Sequence, residues 1–177
     1  MQEEGRSAFA PVTEAGAAWL RTSIVALADG LCALHDAGLY HLDVSAENGV
    51  VRRGPCRRAG LARPRLAGTS RARSDASVAG AAASLAPELG LAPPTEAADA
   101  YALGVLLFEA LTGKLPFDGG GMEVLVRKQS VEAPMASELA PGVPDDLDVL
   151  CAGLLRRSPR ERLTLREARD GGAIPTR

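Results

Sequence analysis

The sequence predicts a mainly helical domain with little β-strand, and three observations carry this prediction. Leucines recur at helical spacing over residues 13–37, 98–112 and 145–156. Prolines at positions 116, 134, 141 and 144 fall between the later helical patterns, where they separate elements. Strand-like pieces are confined to Leu39–Tyr40 and Gly49–Val51. A chain of 177 residues is long enough to build one domain around a hydrophobic core.

The first helix is predicted over residues 13–37. Its apolar residues follow one another at spacings of 4, 3, 4 and 3, which places them on one face of a helix: Leu20, Ile24, Leu27, Leu31 and Leu34. Thr13 is the expected N-cap, and Gly38 is the expected residue that ends the helix. We therefore expect this helix to form part of the core.

The later helices have their own start and stop signals. Gly113 follows the pattern at 98–112 and predicts its end. Asp145 opens the pattern at 145–156, where an acidic residue suits the helix dipole. Thr164 and Glu167 have the spacing of a capping box and predict a short helix over 164–169. A further short helix is predicted near 121–129.

Composition and charge exclude several classes of partner. The net charge of −2 indicates no general affinity for nucleic acid. Residues 52–77 contain eight arginines without interleaved aromatic residues, so we predict a long, mobile, basic loop and no base stacking.

The longest apolar stretch, residues 101–111, is short and contains Glu109, which argues against a membrane span. The N-terminus has no apolar signal-peptide core. We therefore expect a cytoplasmic protein.

The stretch HLDVSAEN, residues 41–48, lies between the two strand-like pieces and is predicted to be a loop. It contains Asp43 and, five residues later, Asn48. On spacing alone, an Asp and an Asn in such a stretch are more often turn residues than catalytic ones. The stretches that follow it in the chain favour the catalytic interpretation.

Four motifs occur in the order found in bacterial serine/threonine protein kinases. HLDVSAEN resembles the catalytic-loop pattern H-R-D-x-x-x-x-N, and residues 86–88 are the Ala-Pro-Glu of the A-P-E motif. Residues 99–117, DAYALGVLLFEALTGKLPF, resemble the D-V-Y-S-L-G-V-x-L-x-E-L-x-T-G-x-x-P-F helix of that family, and LLRRSPRERLTLREA, residues 154–168, resembles its L-L-x-x-D-P-x-x-R-P-T-x-x-E ending.

The resemblance implies the helical C-terminal lobe of the α+β protein-kinase fold, without the N-terminal β lobe. This lobe would span residues 13–170, with the catalytic loop at 41–48 and the activation segment at about 58–88. Residues 1–12 would be an N-terminal extension and 171–177 a tail. No glycine-rich loop and no V-A-I-K strand occurs in the sequence, so half of the adenine pocket is expected to be missing.

The resemblance also implies roles for single residues, with ATP and magnesium as cofactors. Asp43 would be the catalytic base that orients a substrate hydroxyl, and Asn48 would bind magnesium through its amide oxygen. Glu88 and Arg162 would form a pair that ties the activation segment to the helical lobe. Asp99 would support the catalytic loop through its backbone.

Three positions depart from the family pattern. Ser45 stands where serine/threonine kinases carry a phosphate-facing Lys. Arg58 aligns with the metal-binding Asp of D-F-G, so a cation would replace a metal ligand and Arg58 would not be one. Ala81 aligns with the Thr of G-T-x-x-Y. Together these departures predict a catalytically impaired domain.

Three hypotheses follow for function. The first is a serine/threonine kinase that transfers the γ-phosphate of ATP to a protein hydroxyl. The departures favour a domain that is impaired or inactive as this chain, and an active kinase is the alternative if an N-lobe is supplied or the start is misassigned. Alternatively, it is a non-catalytic kinase-like module that binds a partner protein through its helical face or basic loop. A third hypothesis is a truncated gene product without a selected role. The sequence does not separate the second from the third.

Overall fold

The computed structural model describes residues 12–52, 58–61, 82–89 and 91–171. We number the elements of these residues in chain order. They are α1 (Glu14–Asp36), a 3₁₀ turn (Ala46–Asn48), β1 (Gly49–Arg52), β2 (Arg58–Leu61), α2 (Glu96–Thr112), α3 (Gly121–Ser130), α4 (Ala136–Leu139), α5 (Asp145–Leu154) and α6 (Leu165–Arg169). The predicted mainly helical architecture is confirmed.

Helix α1 has the ends and the buried face that its sequence predicts. The Thr13 hydroxyl oxygen accepts a hydrogen bond from the Gly16 backbone N–H at 3.1 Å. Gly38 adopts a φ of 74°, in the left-handed region, as the chain leaves the helix. Leu20, Ile24, Leu27 and Leu31 are all buried. The helix packs against α2, α6 and β2, so it forms one wall of the core.

Helix α1 is also long and apolar enough to cross a membrane. The core helix of a soluble protein passes the same test, and 44% of the most apolar window of α1 is buried within the domain. This helix is therefore weak evidence for a membrane span. The apolar residues on its buried face pack in the core, whereas Val25 on the other face is exposed.

Helix α2 runs through the centre of the domain and is buried along most of its length. It packs against α1, α4, α5 and α6. At Gly104 the crossing with α5 is so close that an added Cβ would lie 2.8 Å from the Cβ of Leu154. Gly113 ends the helix with a φ of 70°, as predicted. The packing of α2 therefore fixes its first turn relative to α1 and to the loop that follows α1.

Two predictions about the region beside the catalytic-loop stretch are wrong. Leu39–Tyr40 is not a strand, because Leu39 N–H donates to the Leu34 carbonyl and belongs to the exit from α1. Residues 58–61 are a strand and not part of a mobile loop, since β2 pairs antiparallel with β1 and Val50 lies opposite Gly60. This pairing supplies backbone hydrogen bonds that composition does not reveal. Residues 53–57 and 62–81 of the predicted basic loop lie outside the described residues.

Candidate active site

Asp99, in the first turn of α2, organises the start of the 41–48 loop. Its carboxylate is fully buried. Oδ2 accepts hydrogen bonds from the His41 backbone N–H and pairs with His35 Nε2, both at 2.8 Å, while Oδ1 accepts from the Leu42 backbone N–H at 2.7 Å. Both oxygens of this buried carboxylate thus have hydrogen-bond partners, which offset the loss of hydration of its charge. The loop is consequently held to the central helix at two successive amides.

Leu42 has an unusual backbone conformation at this point of attachment. Its φ is 55°, the one positive value among the non-glycine residues that the structure describes. The left-handed region costs a residue with a Cβ about 1–2 kcal/mol. The hydrogen bond from Leu42 N–H to Asp99 holds the residue in this conformation. Asp99 therefore sets the direction in which the chain continues towards Asp43.

Asp43, Ser45 and Asn48 come together in the second half of the loop. The Asn48 Nδ2 amide donates to the Asp43 carbonyl at 2.8 Å and to the Ser45 hydroxyl at 3.4 Å. The 3₁₀ turn Ala46–Asn48 brings Asn48 back towards Asp43. All three side chains are partly exposed. With Nδ2 directed into the loop, Oδ1 is the Asn48 atom suited to a cation or a polar ligand.

His41 is buried beneath the loop with a neutral ring. Its Nδ1 accepts a hydrogen bond from the Asp43 backbone N–H at 3.3 Å. Burial lowers the pKa of His41, and the nearby charges of Asp99 and Asp43 oppose this shift. Because Nδ1 is an acceptor, the proton of the neutral ring lies on Nε2. That nitrogen is buried and has no hydrogen-bond partner within the described part of the chain.

Glu88 and Arg162 form a buried pair. Arg162 donates from Nη1 and Nη2 to the two Glu88 carboxylate oxygens, at 2.7 and 2.9 Å, and Nη1 also donates to the Ala97 carbonyl at 2.7 Å. The Arg162 side chain is fully buried, whereas that of Glu88 is 14% exposed. This two-pronged geometry ties residue 88 to the C-terminal part of the domain. Arg162 and Glu88 thus lie where a structural role requires them.

Lys128, on α3, is a second anchor that the sequence did not single out. It is 1% exposed, and its Nζ donates to the carbonyls of Ala82 and Leu85, both at 2.9 Å, and to that of Ala83. Burial lowers its pKa to about 7, whereas the three carbonyl oxygens favour the protonated form. The sequence contains one indication that Lys128 has a special role, because it is one of just two lysines in the chain.

Tyr101 lies close to both cations that hold the segment 82–88. The Lys128 Nζ is 5.2 Å and the Arg162 Cζ is 4.9 Å from the centroid of its ring. Such distances allow attraction between each cation and the ring. Burial raises the pKa of the Tyr101 hydroxyl, so it stays protonated near neutral pH. The segment before and within the A-P-E motif is consequently anchored from two sides.

The described residues offer few metal ligands. They contain no group of three or more His, Cys, Asp or Glu side chains that could hold a metal ion. Magnesium bound with a nucleotide commonly takes one or two protein oxygens, the phosphates and water. Asn48, through Oδ1, fits that partial role. The side chain of Arg58 and the whole of Ala81 lie outside the described part of the chain.

Comparisons with known proteins agree with this geometry. Residues 12–171 match the family described as "Protein kinase domain". The chain is 36% identical over 152 residues to the serine/threonine-protein kinase PkaB of Streptomyces coelicolor, covering 80% of this chain and 36% of that protein. It is also 36% identical over 138 residues to the serine/threonine-protein kinase PknL of Mycobacterium tuberculosis, covering 75% and 34%.

The chain spans about a third of the length of these curated relatives, 36% of PkaB and 34% of PknL. The match to the family nevertheless covers most of the chain, and its relatives are bacterial serine/threonine kinases. The chain therefore belongs to the protein kinase family, as a bacterial-type serine/threonine kinase domain represented by its helical, C-lobe-like part.

Proposed function

We propose that this chain is the catalytic-loop-bearing lobe of a serine/threonine kinase and that its capacity to transfer phosphate from ATP is impaired. One observation carries the proposal: the loop that Asp99 holds presents Asp43 and Asn48 together with Ser45, a neutral residue. The groups that position the loop are therefore present, whereas residue 45 does not carry the positive charge that the family places beside the phosphate.

Asp43 would accept a hydrogen bond from the hydroxyl of a protein Ser or Thr and finally its proton. A carboxylate suits this role because it is ionised near neutral pH and has several acceptor positions. Magnesium, where bound, neutralises charge on the phosphates. Asn48 would hold that ion through Oδ1, since its Nδ2 is directed to the Asp43 carbonyl. Both residues therefore keep the atoms that phosphoryl transfer needs.

Ser45 is the main reason to propose impairment. Its hydroxyl lies 3.4 Å from Asn48 Nδ2 and carries no charge that could stabilise a transferring phosphate. Removing one preorganised donor from an active site typically lowers the rate by about 10²–10³-fold. Arg58, at the aligned position of a metal-binding Asp, would oppose a second magnesium by charge repulsion. These losses act on the same phosphate and should reinforce each other.

The alternative function is that of an active kinase. The small share of its relatives' length that this chain covers supports this alternative. PkaB and PknL extend well beyond the third of their length that matches this chain. A glycine-rich loop and a strand Lys encoded in frame before Met1 would support this alternative. A cytoplasmic location, where ATP is available, is part of the proposal in either case.

The proposal is tested by the thermal shift of the chain with Mg-ATP. We expect no increase in unfolding temperature for the wild-type protein at millimolar nucleotide. An increase that Asp43→Asn and Asn48→Ala both abolish would overturn the proposed impairment of the nucleotide site. Asp118→Asn is the control for Asp43→Asn, because Asp118 is exposed and distant in sequence from the loop.

A further inference from the structure

A cavity of about 320 Å³ lies at the start of α2. Its wall on this helix includes Glu96 and Ala97, and its other walls are Tyr40, which follows α1, and the segment 159–165. No residue of the catalytic loop 41–48 is among the lining residues. The cavity is therefore separate from the groups that would face a nucleotide.

Much of the lining of this cavity is apolar. It combines small side chains of α2 with larger ones of the segment 159–165, namely Ala97, Ala100, Pro159, Leu163 and Leu165. Ala100, Leu163 and Leu165 are buried, so they form the inner part of the cavity. An alkyl or aryl group in contact with them would be removed from water, which favours its binding.

Arg162 lines the cavity but has no free donor for a ligand. Its Nε–H donates to the Arg156 carbonyl at 2.9 Å. Nη1 donates to Glu88 and to the Ala97 carbonyl, and Nη2 donates to Glu88 and to the Arg157 carbonyl. A guanidinium has five N–H groups, and all five are therefore in use. Because its charge is also paired with that of Glu88, Arg162 gives the cavity little attraction for an anion.

Glu96 is the charged side chain of the lining that remains available to a ligand. It is 63% exposed, so it stands at the open side of the cavity. His35 Nδ1 lies 3.9 Å from Oε2, beyond hydrogen-bond distance, and Nε2 of the same ring is engaged with Asp99. Arg166 lies within range of the charge of Glu96 but is paired with Asp36. The Glu96 carboxylate can therefore accept hydrogen bonds from a cationic ligand.

Two hydroxyl groups and an aromatic ring add to the polar side of the cavity. Thr95 is the N-cap residue of α2, yet its side chain makes no capping hydrogen bond. Tyr40 supplies a second hydroxyl oxygen and a ring whose face attracts cations. An ammonium group has three N–H donors and no acceptor, so it matches a carboxylate with neighbouring hydroxyl oxygens. An anion would be repelled by Glu96, and a neutral group would gain no ion pair with it.

We propose that the cavity at the start of α2 binds a small molecule with a primary ammonium group on a short apolar body, and that Glu96 is its counter-ion. The apolar body would lie against Leu163 and Leu165, with the ammonium group towards Glu96 and the hydroxyl oxygen of Thr95. An apolar cavity of about 150 Å³ holds benzene, so this space is large enough for one ring with a two-carbon arm. Binding depends on neither ATP, magnesium nor kinase activity.

Three ligands of similar shape and different charge test the proposal. They are 2-phenylethylammonium, the neutral 2-phenylethanol and the anionic 3-phenylpropionate. Titration of the full chain, followed by the backbone amide resonances of residues 95–97, should show the ammonium ion binding at least about threefold more tightly than the alcohol, as expected for one exposed ion pair and one cation–ring contact. The carboxylate should bind most weakly. Equal affinity for the ammonium ion and the alcohol, tightest binding of the carboxylate, or no binding of the ammonium ion would overturn the proposal.

Glu96→Gln tests the counter-ion, because it keeps the shape of the side chain and removes its charge. The preference for 2-phenylethylammonium over 2-phenylethanol should disappear, whereas the affinity for the alcohol should stay the same. Glu14→Gln is the matched control, since Glu14 is the exposed first residue of α1 as Glu96 is of α2. It should keep the full preference. A preference that survives in Glu96→Gln would show that another group binds the cation.

Ala97→Leu tests the position of the ligand by filling the cavity. Ala97 is half-buried and lines the space, and its contact with Arg162 uses its backbone carbonyl, which the substitution retains. The affinity for 2-phenylethylammonium and for 2-phenylethanol should fall at least tenfold. Ala33→Leu, at an exposed position of α1, should leave both affinities unchanged. Unchanged binding to a folded Ala97→Leu variant would place the ligand elsewhere and refute the site.

Discussion

Replacement of Asp99 by Asn tests how the catalytic loop is held. The fully buried carboxylate accepts from the backbone N–H groups of His41 and Leu42 and pairs with His35 Nε2. Asn keeps the shape but turns one acceptor oxygen into an NH₂ group that faces a donor. Hydrogen bonds to a charged group contribute about 1.5–3 kcal/mol each, and breaking a buried charged arrangement costs about 3–5 kcal/mol. We therefore expect the free energy of unfolding to fall by about 3–5 kcal/mol.

Urea unfolding of both proteins measures this loss directly. Native domains are stable by about 5–15 kcal/mol, so a change of this size should move the midpoint strongly. Amide hydrogen exchange should also become faster at His41 or at Leu42, because one of these two N–H groups loses its acceptor oxygen. Asp118→Asn, at an exposed position, should change the unfolding free energy by less than about 0.5 kcal/mol. A loss below about 1 kcal/mol for Asp99→Asn, with unchanged exchange, would refute the account of the loop.

The structure fixes the sign of three further effects on stability. Gly104→Ala should destabilise the chain by about 1–3 kcal/mol in urea unfolding, because the new Cβ would lie 2.8 Å from that of Leu154. At Gly30 an added Cβ meets no atom within 4 Å, so Gly30→Ala should instead stabilise the chain by up to about 1 kcal/mol. Equal changes in the free energy of unfolding for Gly104→Ala and Gly30→Ala would contradict the close crossing of α2 and α5. Burial lowers the pKa of Lys128 to about 7 from 10.5, so the folded chain binds fewer protons than the unfolded chain between these values. Stability should therefore fall as pH drops from 10.5 to about 7, and Lys128 should cause no further change below that window. Lys128→Met should lose this dependence of stability on pH, whereas Lys114→Met, at an exposed site, should keep it. The same pH dependence in the wild-type protein and both variants would show that the three carbonyl oxygens cancel the effect of burial on the pKa of Lys128.

The helices could be predicted from the sequence because their signals are local. Thr13 and Gly38 mark the ends of α1, and Thr164 with Glu167 marks the start of α6 by the capping box that the structure contains. These signals depend on hydrogen bonds within a few residues of one another. The position of the catalytic loop came from the resemblance to a family, since Asp43 and Asn48 at this spacing alone are more often turn residues.

Other features depend on contacts between residues far apart in the chain. Strand β2 was predicted as loop, because its pairing with β1 has no counterpart in local composition. Lys128 was missed because its partners are backbone carbonyls some 45 residues away, and a carbonyl leaves no mark in the sequence. His35 was missed as a partner of Asp99 for a related reason. It lies beside the leucine stripe of α1, where a histidine gives no indication of what it contacts.

Transfer of the γ-phosphate from ATP to a protein Ser or Thr is the measurement that tests the central claim most directly. Incubation of the full chain with γ-labelled Mg-ATP and a mixed protein substrate should give no label above that of the Asp43→Asn variant, because the loop is held in place but carries the uncharged Ser45 where the family has a Lys. Labelling of Ser or Thr by the wild-type chain that Asp43→Asn abolishes would contradict the account.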